Sequence, residues 1–134
     1  MIMVKSMDAT KRNKRSFGNV GESIAVDYLR KNNYSILVRN YRVGRLGEID
    51  IIARDGEYIC FIEVKTRSST IFGMPSEAVN FRKQENIRML ASIYLSNFKL
   101  HDNNIRFDIV EIIGTKNSTG SFNASSINLI RNAF

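Results

Sequence analysis

Between residues 47 and 67 the apolar positions fall into two runs, Ile49, Ile51, Ile52 and Ala53, then Ile59, Cys60, Phe61, Ile62 and Val64, on either side of Asp55-Gly56. Two β-branched runs around an Asp-Gly dipeptide predict a hairpin, because Asp-Gly tolerates the positive φ angles of a tight turn. Side chains alternate along a strand, so Ile59, Phe61, Glu63, Lys65 and Arg67 share one face, and Tyr58, Cys60, Ile62, Val64 and Thr66 share the other. With Asp55-Gly56 as the loop, Arg54 pairs with Glu57, Ile52 with Ile59 and Asp50 with Phe61. Asp50 then lies diagonal to Glu63 on the same face, their Cα atoms roughly 7–8 Å apart. A slip of one residue would send Asp50 to the opposite face.

Upstream, Glu22, Ala25, Val26 and Leu29 recur at helical spacing, which predicts a helix that follows Gly18-Asn19-Val20-Gly21, runs to about Lys31 and stops at Asn32-Asn33. Residues 35–43, with Ile36, Val38 and Tyr41, read as a strand, and Gly44-Arg45-Leu46-Gly47 as the turn into the hairpin. Residues 68–75 have no periodicity, hold the chain's single proline and read as a loop. Ser76-Glu77 is expected to open a long helix to about Asn97, with an apolar stripe of Val79, Lys83, Ile87, Leu90, Ala91, Tyr94 and Leu95. Residues 105–113 form a β-branched strand that, coming after a helix, can lie parallel to the Phe61 strand. Residues 114–126 are rich in Gly, Ser, Thr and Asn and read as a mobile loop before a short strand at 127–130. The order helix, three strands, helix, strand predicts an α/β domain with a central mixed sheet flanked by helices.

The composition, 134 residues with 43% hydrophobic and 25% charged, fits one compact domain with a modest core. No apolar run approaches a membrane span and the first residues lack a secretory pattern, so a cytoplasmic protein is expected. Cys60, the lone cysteine, is expected to be a buried, inert thiol, and His101, the lone histidine, lies in a polar run that reads as a loop, which argues against zinc or histidine chemistry. The net charge of +7 favours a polyanionic partner, but residues 1–16 contribute +4 of it through Lys5, Lys11, Arg12, Lys14 and Arg15 against Asp8. Residues 1–16 are therefore read as a flexible basic leader, either a solvated tail or an arm for nucleic acid, and residues 17–134 as the single domain.

Glu63 and Lys65 have two readings. On a solvated sheet face they are an ordinary ion pair. Their same-face neighbours Ile59 and Phe61 are apolar, however, and unpaired charge is costly beside such a surface, which favours a functional role. The segments G-E-I-D, residues 47–50, and F-I-E-V-K-T-R, residues 61–67, resemble the YraN-like bacterial family. That family is itself similar to Holliday-junction resolvases of the PD-(D/E)xK, or restriction-endonuclease-like, nuclease superfamily, whose signature is an acid on one strand and (D/E)-x-K on the next. Asp50 matches the first acid, and Glu63 and Lys65 match the second motif, while Ile49 stands where the superfamily's eponymous proline would be. The resemblance spans roughly residues 17–134 and implies a restriction-endonuclease-like core.

What the resemblance implies chemically is a metal-dependent endonuclease that hydrolyses phosphodiester bonds in DNA, branched DNA included. Converging carboxylates suit Mg²⁺ or Mn²⁺, with Asp50, Glu63 and the Val64 backbone carbonyl as ligands. Lys65 would position water or stabilise the transition state. Gly18 to Glu22 match the family's G-x-x-G-E, in which the acid reaches toward the metal; the alternative for Glu22 is a first-turn acid favoured by the helix dipole. Lys83 matches a lysine that reaches the same cleft; the alternative is a stem laid on the core with its ammonium in solvent. Arg39 and Arg42, in an N-Y-R pattern, and Arg67 are candidate phosphate contacts, with surface arginines on an edge strand as the plainer account of the first two. A homodimer would suit cleavage of both strands. The competing functions are a nucleic-acid-binding module on the same fold without catalytic activity of its own, and a protein-interaction domain.

Overall fold

The computed structural model describes residues 9–68 and 79–134, with side chains described from Val20 onward. Helix α1 spans Ala9–Lys31, strands β1, β2 and β3 span Ser35–Arg42, Glu48–Asp55 and Tyr58–Arg67, helix α2 spans Phe81–Asn97, and strands β4 and β5 span Asn104–Lys116 and Phe122–Ile130. The five strands form one sheet in the order β1-β2-β3-β4-β5. β3 and β4, joined through α2, run parallel, and the other neighbours are antiparallel, so the sheet is mixed as expected.

The alternation read along β3 holds. Ile59 and Phe61 pack with Ile87, Leu90, Ala91 and Tyr94 of α2, whereas Cys60, Ile62 and Val64 pack with Ala25, Val26 and Leu29 of α1. Each helix therefore covers one face of the sheet, which is how a buried sheet hides both its faces from water. No helix among the described residues is long and apolar enough to cross a membrane.

The hairpin register differs from the expected one by two residues. Asp55 pairs with Tyr58 and Ile52 with Phe61, which makes Gly56-Glu57 the loop. Gly56 has φ +58° at the first central position, where a type II′ turn needs a glycine. A shift of two preserves which face each paired residue occupies, and Asp50 falls just beyond the last pair, Ile51–Ile62, rather than opposite Phe61.

Element ends also differ. α1 begins at Ala9, so helical backbone continues through Gly18 and Gly21 and through residues 9–16 of the expected leader; residues 1–8 lie outside the described residues. Glycine weakens a helix without forbidding it, and alanine, lysine and arginine in residues 9–15 favour helix. At its other end Asn33 takes φ +69° and Tyr34 N donates to Leu29 O, the six-to-one bond of a left-handed helix stop. α2 begins at Phe81, because Asn80 is extended and its side chain accepts the Lys83 N–H as an N-cap. The expected loop at 69–75 and the expected helix start at 76–77 fall outside the described residues. The segment read as a mobile loop at 114–126 is mostly strand: β4 and β5 form a hairpin whose turn is held by Asn117 Oδ1, which accepts from the backbone N–H groups of Thr119 and Ser121. Polar residues are compatible with strand there because β5 is the sheet edge and is largely exposed.

On the α1 side of the sheet, Asp108 is fully buried and accepts from Arg106 and from the Asn132 N–H, while Arg106 also reaches Asp55 at 3.0 Å and the Tyr34 hydroxyl at 2.8 Å. Both Asp108 oxygens have donors, so this cluster is a clamp that ties the chain end to the hairpin. Cys60 lies beside it, buried, and burial pushes its thiol up to about 12, in keeping with an inert cysteine.

Candidate active site

A second polar cluster forms where β2 and β3 part. Their ladder ends at the pair Ile51–Ile62, and one step beyond it the Asp50 side chain takes over the role of a backbone acceptor: Val64 N donates to Asp50 Oδ2 at 2.8 Å. The alternation of β2 breaks at the same place, since Ile49 and Ile52 both pack on the α2 side. Opposite, on β1, Asn40 has φ +56°, a left-handed conformation that asparagine tolerates better than most residues. The opening of the sheet at Asp50 is what lets groups from both helices reach one carboxylate.

From the α1 side comes Glu22, buried despite its charge. Its neighbour Gly21 lies against β3 so closely that a Cβ there would stand 2.5 Å from Thr66 Oγ1, and this contact sets how near α1 carries Glu22 to the sheet. With its amide nitrogen facing the carboxylates, Asn40 donates to Glu22 Oε1 at 2.9 Å and to Glu48 Oε1 at 3.1 Å. One oxygen each from Glu22, Glu48 and Asp50 lie within 4.8 Å of one another. From the α2 side comes Lys83, whose Nζ lies 2.9 Å from Glu63 Oε2. Glu63 is 1% exposed, and its other oxygen, Oε1, has no hydrogen-bond partner.

The electrostatics follow from this crowding. Burial, then the charge of Glu63, pushes the Asp50 carboxyl up to about 7, against the Val64 N–H that favours the ionised form. Burial and the nearby Glu48 raise Glu22 as well. Burial and the adjacent Lys83 lower Lys65, whereas for Lys83 burial is outweighed by Glu63, which raises it. Glu63 thus favours the charged form of Lys83, while burial and Lys83 disfavour the charge on Lys65.

Of the residues expected in the site, Asp50, Glu63, Lys65, Glu22 and Lys83 come together, and Lys83 reaches Glu63 rather than ending in open solvent. Val64 enters through its N–H. Arg39 lies near enough to Glu22 to favour its ionised form. Arg42 is engaged with Glu48 at 2.6 Å, and Arg67, farther along β3, pairs with the buried Glu111. His101 is exposed in a turn, as its polar surroundings predict. The expectation omitted Glu48 and Asn40. Glu48 was legible in principle, because it stands two residues before Asp50 in the same strand; Asn40 was not, because only the break in β1 aims its amide at two acids.

A buried carboxylate with an unpartnered oxygen, as Glu63 has, is an arrangement that a hard divalent cation would complete, and the neighbouring carboxylate donors are of the kind that suits Mg²⁺ or Mn²⁺.

Comparison with known proteins identifies a family. The profile described as Uncharacterised protein family UPF0102 matches residues 21–112, a span that holds Glu22, Asp50, Glu63, Lys65 and Lys83. A UPF0102 protein of Acetivibrio thermocellus is 52% identical over 131 residues, covering 98% of this chain and all of the relative. UPF0102 protein CLJ_B2665 of Clostridium botulinum strain 657 is 49% identical over 122 residues, covering 90% of this chain and 94% of the relative. The chain therefore belongs to Uncharacterised protein family UPF0102, the YraN-like family that its G-E-I-D and F-I-E-V-K-T-R segments resemble.

Proposed function

We propose that this protein is a metal-dependent endonuclease acting on DNA phosphodiester bonds, with Asp50, Glu63, Glu22 and the Val64 carbonyl available to hold Mg²⁺ or Mn²⁺. The observation that carries the reading is Glu63: a carboxylate almost wholly buried, with one oxygen on Lys83 and the other without any partner. Such an oxygen is costly unless something completes it. A bound divalent cation would supply charge neutralisation at the scissile phosphate and a more acidic water.

The chain's own residues perform the remaining tasks. Asp50 is fixed by the Val64 N–H, so one of its oxygens is oriented by the backbone while the other remains for a ligand. Lys65, whose charge is disfavoured by burial and by the adjacent Lys83, suits a group that orients water or follows charge developing on the phosphate. Lys83 holds Glu63 while its side chain stays about two-fifths exposed, so a phosphate oxygen could approach it. Arg39 and Arg42 on β1, together with the basic residues within 1–16, would extend backbone contacts along a polyanion. Branched DNA is the substrate class that the resolvase resemblance favours, and a two-fold dimer would suit its symmetry.

The competing reading, a nucleic-acid-binding module without turnover, is favoured by one feature: Lys83 and Arg67 both lie on internal carboxylates, which leaves less positive charge facing outward. The test is incubation of plasmid, linear and four-way-junction DNA with the protein in Mg²⁺, Mn²⁺ or EDTA, beside Asp50→Asn. Cleavage by wild type that needs metal and is lost in Asp50→Asn supports the nuclease reading. DNA binding without cleavage in any metal supports the binding module.

A further inference from the structure

We propose that Glu48 is a further cation ligand of this site, beside Glu22 and Asp50, and that the Asn40 amide is the positioning residue that holds Glu22 and Glu48 for it. The proposal rests on the metal-dependent reading and extends it to two residues that the nuclease signature does not contain.

Glu22, Glu48 and Asp50 bring one oxygen each to within 4.8 Å of one another. Their visible compensation is partial: Arg42 touches Glu48 from the outside with its own side chain 72% exposed, where solvent screens the pair, Arg39 acts on Glu22 without a hydrogen bond between them, and Lys83 and Lys65 act on Asp50 through charge alone. Asn40 supplies two neutral donors only. Glu63 adds a fourth carboxylate at the border of this group, since its charge is felt at both Asp50 and Glu22, and its Oε1 is buried without a partner. An acidic cluster balanced entirely by protein groups would not leave that oxygen bare.

Coordination capacity points the same way. A carboxylate offers about four lone-pair positions. The hydrogen bonds seen at Glu48, from Arg42 to Oε2 and from Asn40 to Oε1, fix its orientation while leaving positions on both oxygens for a cation. Asp50 is oriented in the same way through Oδ2 alone. Outer partners that orient a ligand without consuming it are the usual companions of metal-binding carboxylates. Asn40 has the required geometry only because its backbone adopts φ +56° within a strand, an uncommon conformation for a residue other than glycine. Glycine would fit that backbone better and would lack the amide. The site thus retains the residue that orients the acids where another would better suit the chain.

The test is titration of the full chain with Mn²⁺ by calorimetry, with melting temperatures in EDTA, for wild type, Glu48→Gln, Asn40→Gly and Asp50→Asn. Glu48→Gln should weaken Mn²⁺ by roughly tenfold or more, and Asn40→Gly by about tenfold, the range found for groups that orient metal ligands. Both variants should melt in EDTA at or above the wild-type temperature, Glu48→Gln because a repelling charge is gone and Asn40→Gly because the backbone is relieved. A Glu48→Gln protein that binds Mn²⁺ as wild type does, or melts lower in EDTA, overturns the proposal by making Glu48 a structural acid; if Asp50→Asn has meanwhile lost Mn²⁺, the metal-dependent reading stands without it. Failure of wild type itself to bind Mn²⁺ removes both.

Discussion

Lys83 Nζ lies 2.9 Å from Glu63 Oε2, so a cation carried by α2 rests on the most deeply buried carboxylate of the candidate site. Glu63 is part of the strand that crosses the core, whereas Lys83 sits in the first turn of a helix whose N-cap is Asn80. The pair therefore ties the start of α2 to the sheet while engaging only one of the two Glu63 oxygens.

Lys83→Met should lower stability in EDTA by about 1–3 kcal/mol, less than for a fully buried pair because the lysine is partly exposed. Millimolar Mn²⁺ should recover more stability in this variant than it adds to wild type, because no ammonium competes for Glu63. Thermal melts with and without Mn²⁺ measure both effects. Equal melting of variant and wild type in EDTA would show that the pair is energetically idle.

Asp50→Asn should be more stable than wild type in EDTA by about 1–3 kcal/mol at pH 8, since a carboxylate burdened by burial and by Glu63 is replaced by a neutral group that still accepts from Val64. The sign with pH follows from the raised value of about 7 against an ordinary 3.8. Between these values the folded protein keeps a proton that the unfolded chain has released, so this group's stabilising contribution is complete below the ordinary value, falls as pH rises and is gone above about 7. Chemical denaturation from pH 4 to 8 should show a decline in wild type relative to Asp50→Asn that levels off above 7. A constant difference across that range would contradict the buried, crowded carboxyl.

Gly21→Ala should push α1 away from β3, because its Cβ would meet Thr66 Oγ1 at 2.5 Å. An overpacking loss of about 1–3 kcal/mol is expected, with weakened Mn²⁺ binding because Glu22 is the next residue. Thr66→Ala in the same chain removes the offending oxygen and should restore both. Coupling between the two substitutions in a double-mutant cycle is the measurement, and simple additivity would show that Gly21 and Thr66 do not press on one another.

Removal of residues 1–8 should leave DNA binding unchanged, because Lys5 and Asp8 cancel. Neutralising Lys11, Arg12, Lys14 and Arg15 to Gln should weaken binding and flatten its salt dependence by up to about 0.9 in slope for each phosphate that the variant no longer neutralises. Filter binding or anisotropy across a salt series distinguishes these outcomes. An unchanged slope would mark the segment as a solvated leader.

The period-two pattern of β3 by itself determined which residues share each face, because alternation is a local property of extended backbone, while which helix covers each face came from the assembled molecule. Helical spacing likewise determined the buried stripe of Ile87, Leu90, Ala91, Tyr94 and Leu95, and the G-E-I-D and E-x-K segments marked Asp50, Glu63 and Lys65 as a set. Other features required the assembled molecule. The hairpin register depended on which two residues the turn left unpaired, and two registers of equal parity satisfy the same apolar pattern. The Asn80 cap and the extent of β5 depended on neighbours that compete with local propensity. The meeting of Glu22, Asn40, Glu48 and Asp50 depended on the break in β1 and β2, where backbone leaves its regular path and alternation no longer predicts direction. Local pattern specifies faces, while convergence of groups from α1, β1, β2, β3 and α2 on one point is a property of packing, set by contacts as particular as Gly21 against Thr66.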